Sequence, residues 1–350
     1  MEWGKPMMYD LSKKQILMNR RAFLSASGGA VLLQGVPGMA QQRAPCTWHP
    51  EAENLEFRLS RLSGVLACNK SHHFSNVVHT PTGTLVSPDE GRMKHVGLLN
   101  FFRVLVRSGY LTELRVEKPL LQPEDDGITM IWPSTIRRQA KVTVRFTFIE
   151  PNIIDMDLQV ESRTTYPDFE ILLSAYLAPG FESGAYVSTN EMGPVEPEQI
   201  RIIDQPMIHG VWPFFPRDEA GAHLLTDGRH QKGRWYWRMA IGRRYGMPLA
   251  FFSKGKVDAL LMGRPEDVYA VGATYSGDTD RDNIAAHRSL YLSLFGDDLQ
   301  AGEGRRTQMR MIIDDFGSSA IRHRELYEQF LADVEPIPRS FQINPETEPE

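Results

Sequence analysis

Cysteine is almost absent from this chain of 350 residues, which contains only Cys46 and Cys68. Two isolated cysteines cannot form a Cys-x-x-Cys pair, so a zinc ribbon and a thioredoxin-like site are excluded. In an oxidising compartment the two thiols can form one disulfide, and their spacing leaves open whether they do.

Motifs that identify a cofactor or a nucleophile are also lacking. The chain has no Walker loop, no Gly-x-Gly-x-x-Gly turn, no His-Glu-x-x-His helix, no Gly-x-Ser-x-Gly elbow and no EF-hand loop. We therefore predict no cofactor and assign no metal ligand. Asp278, Asp280 and Asp282 alternate like calcium ligands, but the glycine and the distal glutamate of an EF-hand are missing, so calcium binding is left open.

After the first 40 residues, acidic side chains outnumber basic ones. The whole chain has a formal net charge of −5, and residues 1–40 contribute five Lys/Arg against two Asp/Glu, which leaves −8 on residues 41–350. This acidic balance argues against a nucleic-acid partner. No later apolar run reaches the length of about 20 residues that a membrane-spanning helix needs, so we expect no stable membrane insertion after cleavage of the leader.

The N-terminal segment carries a recognisable pattern. Arg20 and Arg21 are followed by an uncharged stretch, Ala22–Ala40, whose small residues at the −3 and −1 positions suit cleavage after residue 40. This order is typical of a twin-arginine export signal. We predict a signal peptide over residues 1–40, the twin-arginine translocon as a partner during export, and a periplasmic or secreted protein. A membrane anchor is disfavoured because glycines, serines and a proline interrupt the stretch.

The remainder of the chain is typical of an all-β protein. Lys141–Phe148 and Ile154–Glu161 alternate apolar and polar residues, and the turn residues between them indicate a hairpin with one wet face. Phe169–Tyr176 is apolar at most positions, which predicts a more central strand. Further strands are predicted at Glu56–Leu62, Leu111–Glu117, Gly127–Trp132, Trp235–Ile241, Leu249–Phe252, Ala259–Met262, Val268–Thr274, His287–Leu294 and Thr307–Ile313.

Few segments of the sequence have the apolar periodicity of a helix. Ser319–Val334 has an apolar stripe, a serine cap at its start and Pro336 just after it, which predicts a helix. Val96–Val106 fits either a helix or a strand. Because no repeat or linker divides the chain, we predict a single domain over 41–340, a large two-sheet antiparallel β-sandwich with a short C-terminal helix, followed by a disordered tail over 341–350.

Histidines cluster in one polar segment that contains His72, His73 and His79. Their spacing fits no standard metal site, so an ordinary polar loop is the favoured interpretation. A general-acid role for His79 is the functional alternative, because histidine titrates near neutral pH.

The segment 209–238 mixes aromatic and charged residues more densely than any other. A sugar presents apolar C–H faces and a rim of hydroxyls, so its site needs flat aromatic rings beside hydrogen-bonding groups. Trp235 and Trp237 fall on one side of a predicted strand, where they form a platform if that side is open and core if it is not. The substrate-binding candidates are Trp212, Arg217, His230, Arg234, Trp235 and Trp237.

Glu170 shares one face of its predicted strand with Tyr176. A carboxyl group among apolar neighbours has a raised pKa and can serve as a general acid or base. A structural salt bridge to an arginine such as Arg145 or Arg163 is equally compatible with the pattern.

Two stretches resemble the galactose mutarotase-like β-supersandwich proteins. They are Val142–Tyr176, with its strand, Glu-Pro-Asn turn and two strands, and His287–Glu303, in which a strand leads to Ala-Gly-Glu. The resemblance implies a large two-sheet fold whose concave face binds sugars, as in aldose epimerases, polysaccharide lyases and non-catalytic sugar-binding domains. The catalytic pair of the epimerases, a histidine and a distant glutamate, implies His79, His209 and Glu170 as catalytic candidates.

The expected function is therefore that of an exported carbohydrate-active protein, which binds a sugar or polysaccharide and acts as an acid/base epimerase, lyase or hydrolase. A non-catalytic carbohydrate-binding protein and an envelope interaction protein are the alternatives, so the sequence leaves open whether the chain is an enzyme. An enzyme requires a carboxylate near a histidine in one aromatic-lined cleft. A binding protein requires only the aromatic platform, and an interaction module requires an exposed apolar patch.

Overall fold

The computed structural model describes residues 46–343 except 70, 89–96, 190–196, 203–211, 232–238, 275–287 and 335. Nearly all of its regular structure is β-strand. The strands are β1 Cys46–His49, β2 Asn54–Arg58, β3 Leu62–Ala67, β4 His73–His79, β5 Thr84–Leu85, β6 Asn100–Val106, β7 Gly109–Glu113, β8 Leu120–Glu124, β9 Gly127–Trp132, β10 Ala140–Ile149, β11 Ile153–Ser162, β12 Tyr166–Tyr176, β13 Glu182–Val187, β14 Glu198–Arg201, β15 Trp212–Pro216, β16 Met239–Ile241, β17 Tyr245–Lys254, β18 Val257–Gly263, β19 Val268–Thr274, β20 Ser289–Leu299, β21 Glu303–Asp315 and β22 Ser340–Gln342. The helices are α1 Glu219–Thr226 and α2 Ala320–Asp333, with 3-10 turns at Leu114–Val116 and Arg229–Gln231.

The hairpin of β10 and β11 shows why the sequence forms strands. Alternate residues of both strands enter the main hydrophobic core, and Val142 pairs with Val160 and Phe146 with Met156 across the ladder. The residues between them point to the polar side, where Lys141 forms an ion pair of 2.8 Å with Glu161. A two-residue period places one apolar face against the core and leaves the other in water.

The strands form three sheets. The ten-stranded sheet has the order β14-β13-β17-β18-β21-β11-β10-β9-β8, with β22 paired to β21. The seven-stranded sheet has the order β16-β15-β19-β20-β12-β6-β7, and the N-terminal sheet is β1-β2-β3-β4-β5. All ladders are antiparallel except the pair β15–β16. The main core, to which all three sheets contribute, holds the sheets together as a sandwich.

The predicted all-β antiparallel sandwich with a C-terminal helix is thus confirmed, and the N-terminal sheet is a third sheet that packs into the same core. Two predicted strands, Gly127–Trp132 and Val268–Thr274, have the predicted bounds. The predicted strand Glu56–Leu62 is instead divided between the end of β2 and the start of β3 by a turn at residues 59–61, where the backbone N–H of Leu59 donates to the carbonyl oxygen of Leu62. The ambiguous segment Val96–Val106 contributes strand β6. Strand β22 includes Phe341, which the sequence assigned to the tail.

Helix α2 covers the side of the ten-stranded sheet that faces away from the main core. It begins after Ser319, whose hydroxyl accepts a hydrogen bond of 3.3 Å from the backbone N–H of Arg322 and caps the helix. Leu326, Tyr327 and Phe330 pack into a second apolar cluster on that face. The predicted helix and its serine cap are therefore confirmed.

Cys46 and Cys68 are separate thiols in this structure. Cys46 pairs with Phe57 near one end of β2, whereas Cys68 follows the residue that pairs with Asn54 at the other end. Burial raises the pKa of each thiol to about 12, so both are protonated at neutral pH.

No helix within the described ranges is long and apolar enough to cross a membrane. Across the same ranges, no group of three or more His, Cys, Asp and Glu side chains could hold a metal ion. The calcium-like residues Asp278, Asp280 and Asp282 lie outside the described residues.

Candidate functional site

The side of the seven-stranded sheet that faces away from the main core, called the outer face below, carries a buried polar group. In β12, Phe169, Ile171 and Leu173 enter the main core, so Glu170 and the alternate residues after it point to the outer face. Leu172 belongs to a separate apolar cluster there. That cluster also contains Phe102, Leu105, Phe214, Leu224, Leu225, Tyr269, Ala270 and Tyr291.

Glu170 is the central group of this face. Its side chain is fully buried, and the hydroxyls of Tyr269 and Ser293 are its hydrogen-bonding neighbours. Burial raises the pKa of Glu170 from 4.5 to about 7, although the nearby Arg229 guanidinium and the hydroxyls of Tyr269 and Ser293 act to lower it. The carboxyl group therefore exchanges its proton near neutral pH.

His230 lies against this carboxyl group. Its Nε2 atom is 3.4 Å from Oε2 of Glu170, and the side chain is 1% exposed. Burial, then the charges of Arg229 and Arg103, lower the pKa of His230 to about 3. A neutral imidazole thus stands beside a carboxyl group that titrates near pH 7, and this pair can take up or release one proton without charging the histidine.

The 3-10 turn Arg229–Gln231 positions His230, and a fully buried arginine fixes the turn. The Arg229 guanidinium donates to both carboxylate oxygens of Asp227 at 2.7 to 3.1 Å. It also donates to the carbonyl oxygen of Asp168 at 2.8 Å and lies 3.7 Å from Glu170. Helix α1 leads into this turn, and the Asp218 carboxylate caps its first turn at the N–H of Gly221.

Aromatic rings and hydroxyls line the face beside Glu170 and His230. The ring of Phe214 lies 5.6 Å from that of Tyr291 with an angle of 27° between their planes, and 6.5 Å from that of His230. The hydroxyl of Tyr291 accepts a hydrogen bond of 2.8 Å from Ser289. Trp212 is half-buried on the same strand as Phe214, and its indole lies near the hydroxyl of Tyr291. The face therefore combines buried aromatic rings and hydroxyls with one half-buried indole, that of Trp212.

His79 does not meet Glu170, which corrects the predicted pairing. It lies on β4 of the N-terminal sheet, fully buried, and its Nε2 atom is 3.0 Å from the carboxylate of Asp314 on β21. Its other ring nitrogen lies 2.8 Å from the Thr82 hydroxyl. Arg61 and Asn152 bind the same Asp314 carboxylate. His79 therefore joins two sheets, and the histidine that accompanies Glu170 is His230.

The structure divides the other predicted site residues into two groups. Trp212 and His230 lie on the outer face with Glu170. Arg217 turns elsewhere, because its guanidinium binds Asp218 at 2.8 Å and the carbonyl oxygen of Glu266 at 3.1 Å. The remaining predicted residues lie outside the described ranges: His209, Arg234, Trp235 and Trp237.

Sequence reasoning missed Arg229, Tyr269 and Ser293. The last two lie on correctly predicted strands, and each strand's alternation separates Tyr269 and Ser293 from the core-facing residues. That signal could have been used once Glu170 was assigned to the same face. Arg229 had no comparable signal, because it lies on an irregular turn.

No family model matches the sequence, and no curated protein matches it. Similar solved structures include a galactose mutarotase-like protein from Clostridium acetobutylicum, with 7% identity, a TM-score of 0.48 and coverage of 79% of this chain and 99% of that one. The galactose 1-epimerase from Lactobacillus acidophilus NCFM has 10% identity, a TM-score of 0.41 and coverage of 75% and 94%. The GH36 alpha-galactosidase from Geobacillus stearothermophilus has 12% identity, a TM-score of 0.44 and coverage of 78% and 41%. The chain spans about half the length or less of several solved structures that it matches, and this alpha-galactosidase is one of them.

Proposed function

We propose that this chain is an exported carbohydrate-active protein in which Glu170 exchanges a proton with a sugar at the outer face of the seven-stranded sheet. The observation that carries the proposal is the state of Glu170: fully buried, 3.4 Å from His230, and with a pKa of about 7. A buried carboxyl group whose pKa is strongly raised by desolvation is costly for stability, and such groups concentrate at functional sites.

The chemistry of the pair supports an acid/base role. A general acid or base is most effective when its pKa lies near the working pH, and Glu170 meets that condition. His230 is neutral at that pH, so one of its ring nitrogens can donate a hydrogen bond and the other can accept one. Two titratable groups whose surroundings move their pKa values apart are suited to opposite proton-transfer roles.

The surroundings of the pair favour a sugar as the ligand. Trp212 offers a half-buried indole, which packs on the cluster that contains the buried rings of Phe214 and Tyr291 and lies beside the hydroxyls of Ser289 and Tyr291. Sugar rings require this combination because their C–H faces are apolar while their edges carry hydroxyls.

A non-catalytic carbohydrate-binding protein is the second candidate. One observation favours it: Glu170 is 0% exposed and His230 is 1% exposed, so neither side chain reaches the surface. On this interpretation the sugar contacts the half-buried Trp212 on the outer face, and the buried pair only shapes the surroundings of that indole.

A glycan screen with purified residues 41–350, followed by product analysis of each ligand found, tests the proposal. These residues form one compact unit. Binding with turnover that Glu170→Gln removes supports the enzyme, and the matched variant Glu328→Gln, on the exposed side of α2, should keep full turnover. Binding without turnover supports the second candidate, and the absence of binding to any glycan contradicts both.

Export by the twin-arginine pathway is part of the same proposal. It is supported by Arg20 and Arg21, by the uncharged stretch after them and by the small residues before position 41. Expression of the full chain followed by cell fractionation should recover a protein that begins at residue 41 from the periplasm or medium. Replacing Arg20 and Arg21 with lysine should retain the chain in the cytoplasm, and export of that variant would contradict the assignment.

A further inference from the structure

The strand that carries Glu170 is irregular just before this residue. Tyr166 of β12 pairs with Leu299 of β20, Phe169 with Asp297, and Glu170 with Phe295, so the register shifts twice within four residues. Bulges of this kind bend a strand and change the direction of the next side chain. Glu170 therefore owes its direction to the backbone at positions 167–169.

This bulge holds backbone conformations that side chains rarely adopt. Asp168 has a φ of +49°, and on the neighbouring strand Phe295 has a φ of +73° and Gly296 a φ of +74°. A non-glycine residue in the left-handed region costs on the order of 1 kcal/mol and persists only where its surroundings fix it. Contacts that fix Asp168 therefore matter for the position of Glu170.

Three groups hold Asp168. Its backbone N–H donates to the Asp298 carboxylate at 3.0 Å, and its own carboxylate accepts from Nε of Arg107 at 2.5 Å. Its carbonyl oxygen accepts from Arg229 at 2.8 Å. Arg107 is 63% exposed and binds from the solvent side, whereas Arg229 is 0% exposed and binds from the site. Of the three, only Arg229 also lies beside Glu170, at 3.7 Å.

We propose that Arg229 is a positioning residue, which holds the bulge at Asp168 and thereby directs Glu170 at His230. This inference rests on the proposed function, because it assigns the group that prepares Glu170 for proton exchange. Arg229 and His230 are consecutive, so one turn delivers the guanidinium and the imidazole to the same carboxyl group. Asp227 fixes this turn through its two hydrogen-bonded oxygens.

The charges around Glu170 give Arg229 a measurable effect. From the turn segment, Arg229, His230 and Asp227 face the carboxyl group, and Tyr269 faces it from β19. Asp168 lies two residues before it on β12, and Arg103 on β6 acts on His230. Among these groups, Arg229 is the cation that most lowers the pKa of Glu170. Its removal must therefore raise that pKa.

Titration of the Glu170 carboxyl group in the full chain tests this inference without any sugar. With 13C-labelled glutamate, the carboxyl signal of Glu170 is assigned by its loss in Glu170→Gln. In Arg229→Gln we expect the titration midpoint to rise by about one pH unit or more, because an adjacent opposite charge is lost. The matched variant Arg107→Gln, which contacts Asp168 from the solvent side only, should leave the midpoint unchanged. An unchanged midpoint in folded Arg229→Gln would overturn the proposal.

Two further variants keep the test decisive. Arg229→Lys keeps the charge but loses the two-pronged contact, so the Glu170 midpoint should stay near that of the wild type while turnover of any sugar substrate falls. If Arg229→Gln does not fold, Arg229→Gln combined with Asp227→Asn removes the charge pair together, and a smaller rise is expected because Asp227 itself raises the pKa of Glu170. If Arg229→Gln and the double variant both fail to fold, Arg229 is required for folding, and the proposal is overturned. A failed glycan screen would leave the titration result standing on its own.

Discussion

The Nε2 atom of His230 lies 3.4 Å from Oε2 of Glu170, and both side chains are buried on the outer face of the seven-stranded sheet. Burial affects the two groups in opposite ways, since it raises the pKa of Glu170 to about 7 and lowers that of His230 to about 3. Both shifts favour the neutral form. The pair therefore holds a proton on the carboxyl group until pH 7 is reached.

The pH dependence of stability should change in Glu170→Gln. The folded protein binds the Glu170 proton up to about pH 7 and the unfolded chain only up to about 4.5, so this group stabilises the fold at low pH and its contribution falls as the pH rises from 4.5 to 7. Relative to Glu170→Gln, the wild type should lose about 3 kcal/mol of unfolding free energy over that range. Urea unfolding at several pH values measures this difference.

The control for this experiment is Glu328→Gln, whose side chain is exposed on α2 and should give the wild-type profile. His72 and His230 act in the opposite direction, because their lowered pKa values make the fold less stable as the pH falls below 6.5. Each variant is therefore compared with the wild type at the same pH. Parallel curves for Glu170→Gln and the wild type would show that Glu170 does not titrate in this range.

The network around Asp314 should be structural. Arg61, His79 and Asn152 all bind its carboxylate. Burial raises the pKa of Asp314, but Arg61, the N–H of Asp315 and His79 together lower it below its usual value. Asp314→Ala leaves the buried His79 without this partner, so we expect a loss of about 3 kcal/mol in the free energy of unfolding.

The matched control is Glu56→Ala, which breaks the exposed ion pair with Arg58 and should cost less than about 1 kcal/mol. Turnover of any sugar substrate should persist in His79→Gln, because His79 joins the N-terminal and ten-stranded sheets and does not contact Glu170. Loss of turnover in folded His79→Gln would restore the catalytic role that the sequence predicted for it.

Helix α2 should depend on a buried pair beneath it. His323 is hydrogen-bonded on both ring nitrogens, to the Tyr186 hydroxyl at 2.9 Å and to the Asp258 carboxylate at 3.1 Å, and all three side chains are buried. Asp258→Ala should cost about 3 to 5 kcal/mol, because it leaves the imidazole without its carboxylate. Arg322→Ala, which breaks an exposed pair with Glu325 on the same helix, should cost less than about 1 kcal/mol. Thermal or urea unfolding measures both, and equal effects would contradict a buried anchor.

Much of the fold could be predicted because the periodicity of short sequence segments identifies many of the strands. The alternation of Lys141–Phe148 and Ile154–Glu161 fixes two strands and their faces, and Ser319 caps the predicted helix. Helix α1 was missed because it is only eight residues long, and so few residues carry little periodicity. The N-terminal sheet was missed because its strands are short and the turn at residues 59–61 falls inside a stretch that alternates apolar and polar residues like a single strand.

The site was predicted only in part. Parity along β12 places Glu170 among apolar neighbours, and this burial is what raises its pKa. Its partner could not be predicted, because His230 is 60 residues away and reaches Glu170 through a 3-10 turn whose position depends on Arg229 and Asp227. His79 has the same residue type but a different sheet. Contacts between distant segments depend on the order of strands, which local patterns do not encode.

The most direct test of the central claim compares the binding and the turnover of the same sugar by the wild type and by Glu170→Gln. The ligand is the one found by the glycan screen, and its conversion is followed by NMR at pH 7. If Glu170 exchanges a proton with the sugar, the variant should still bind the sugar while its turnover falls by about 100-fold or more. Turnover equal to that of the wild type in a folded Glu170→Gln would contradict the claim.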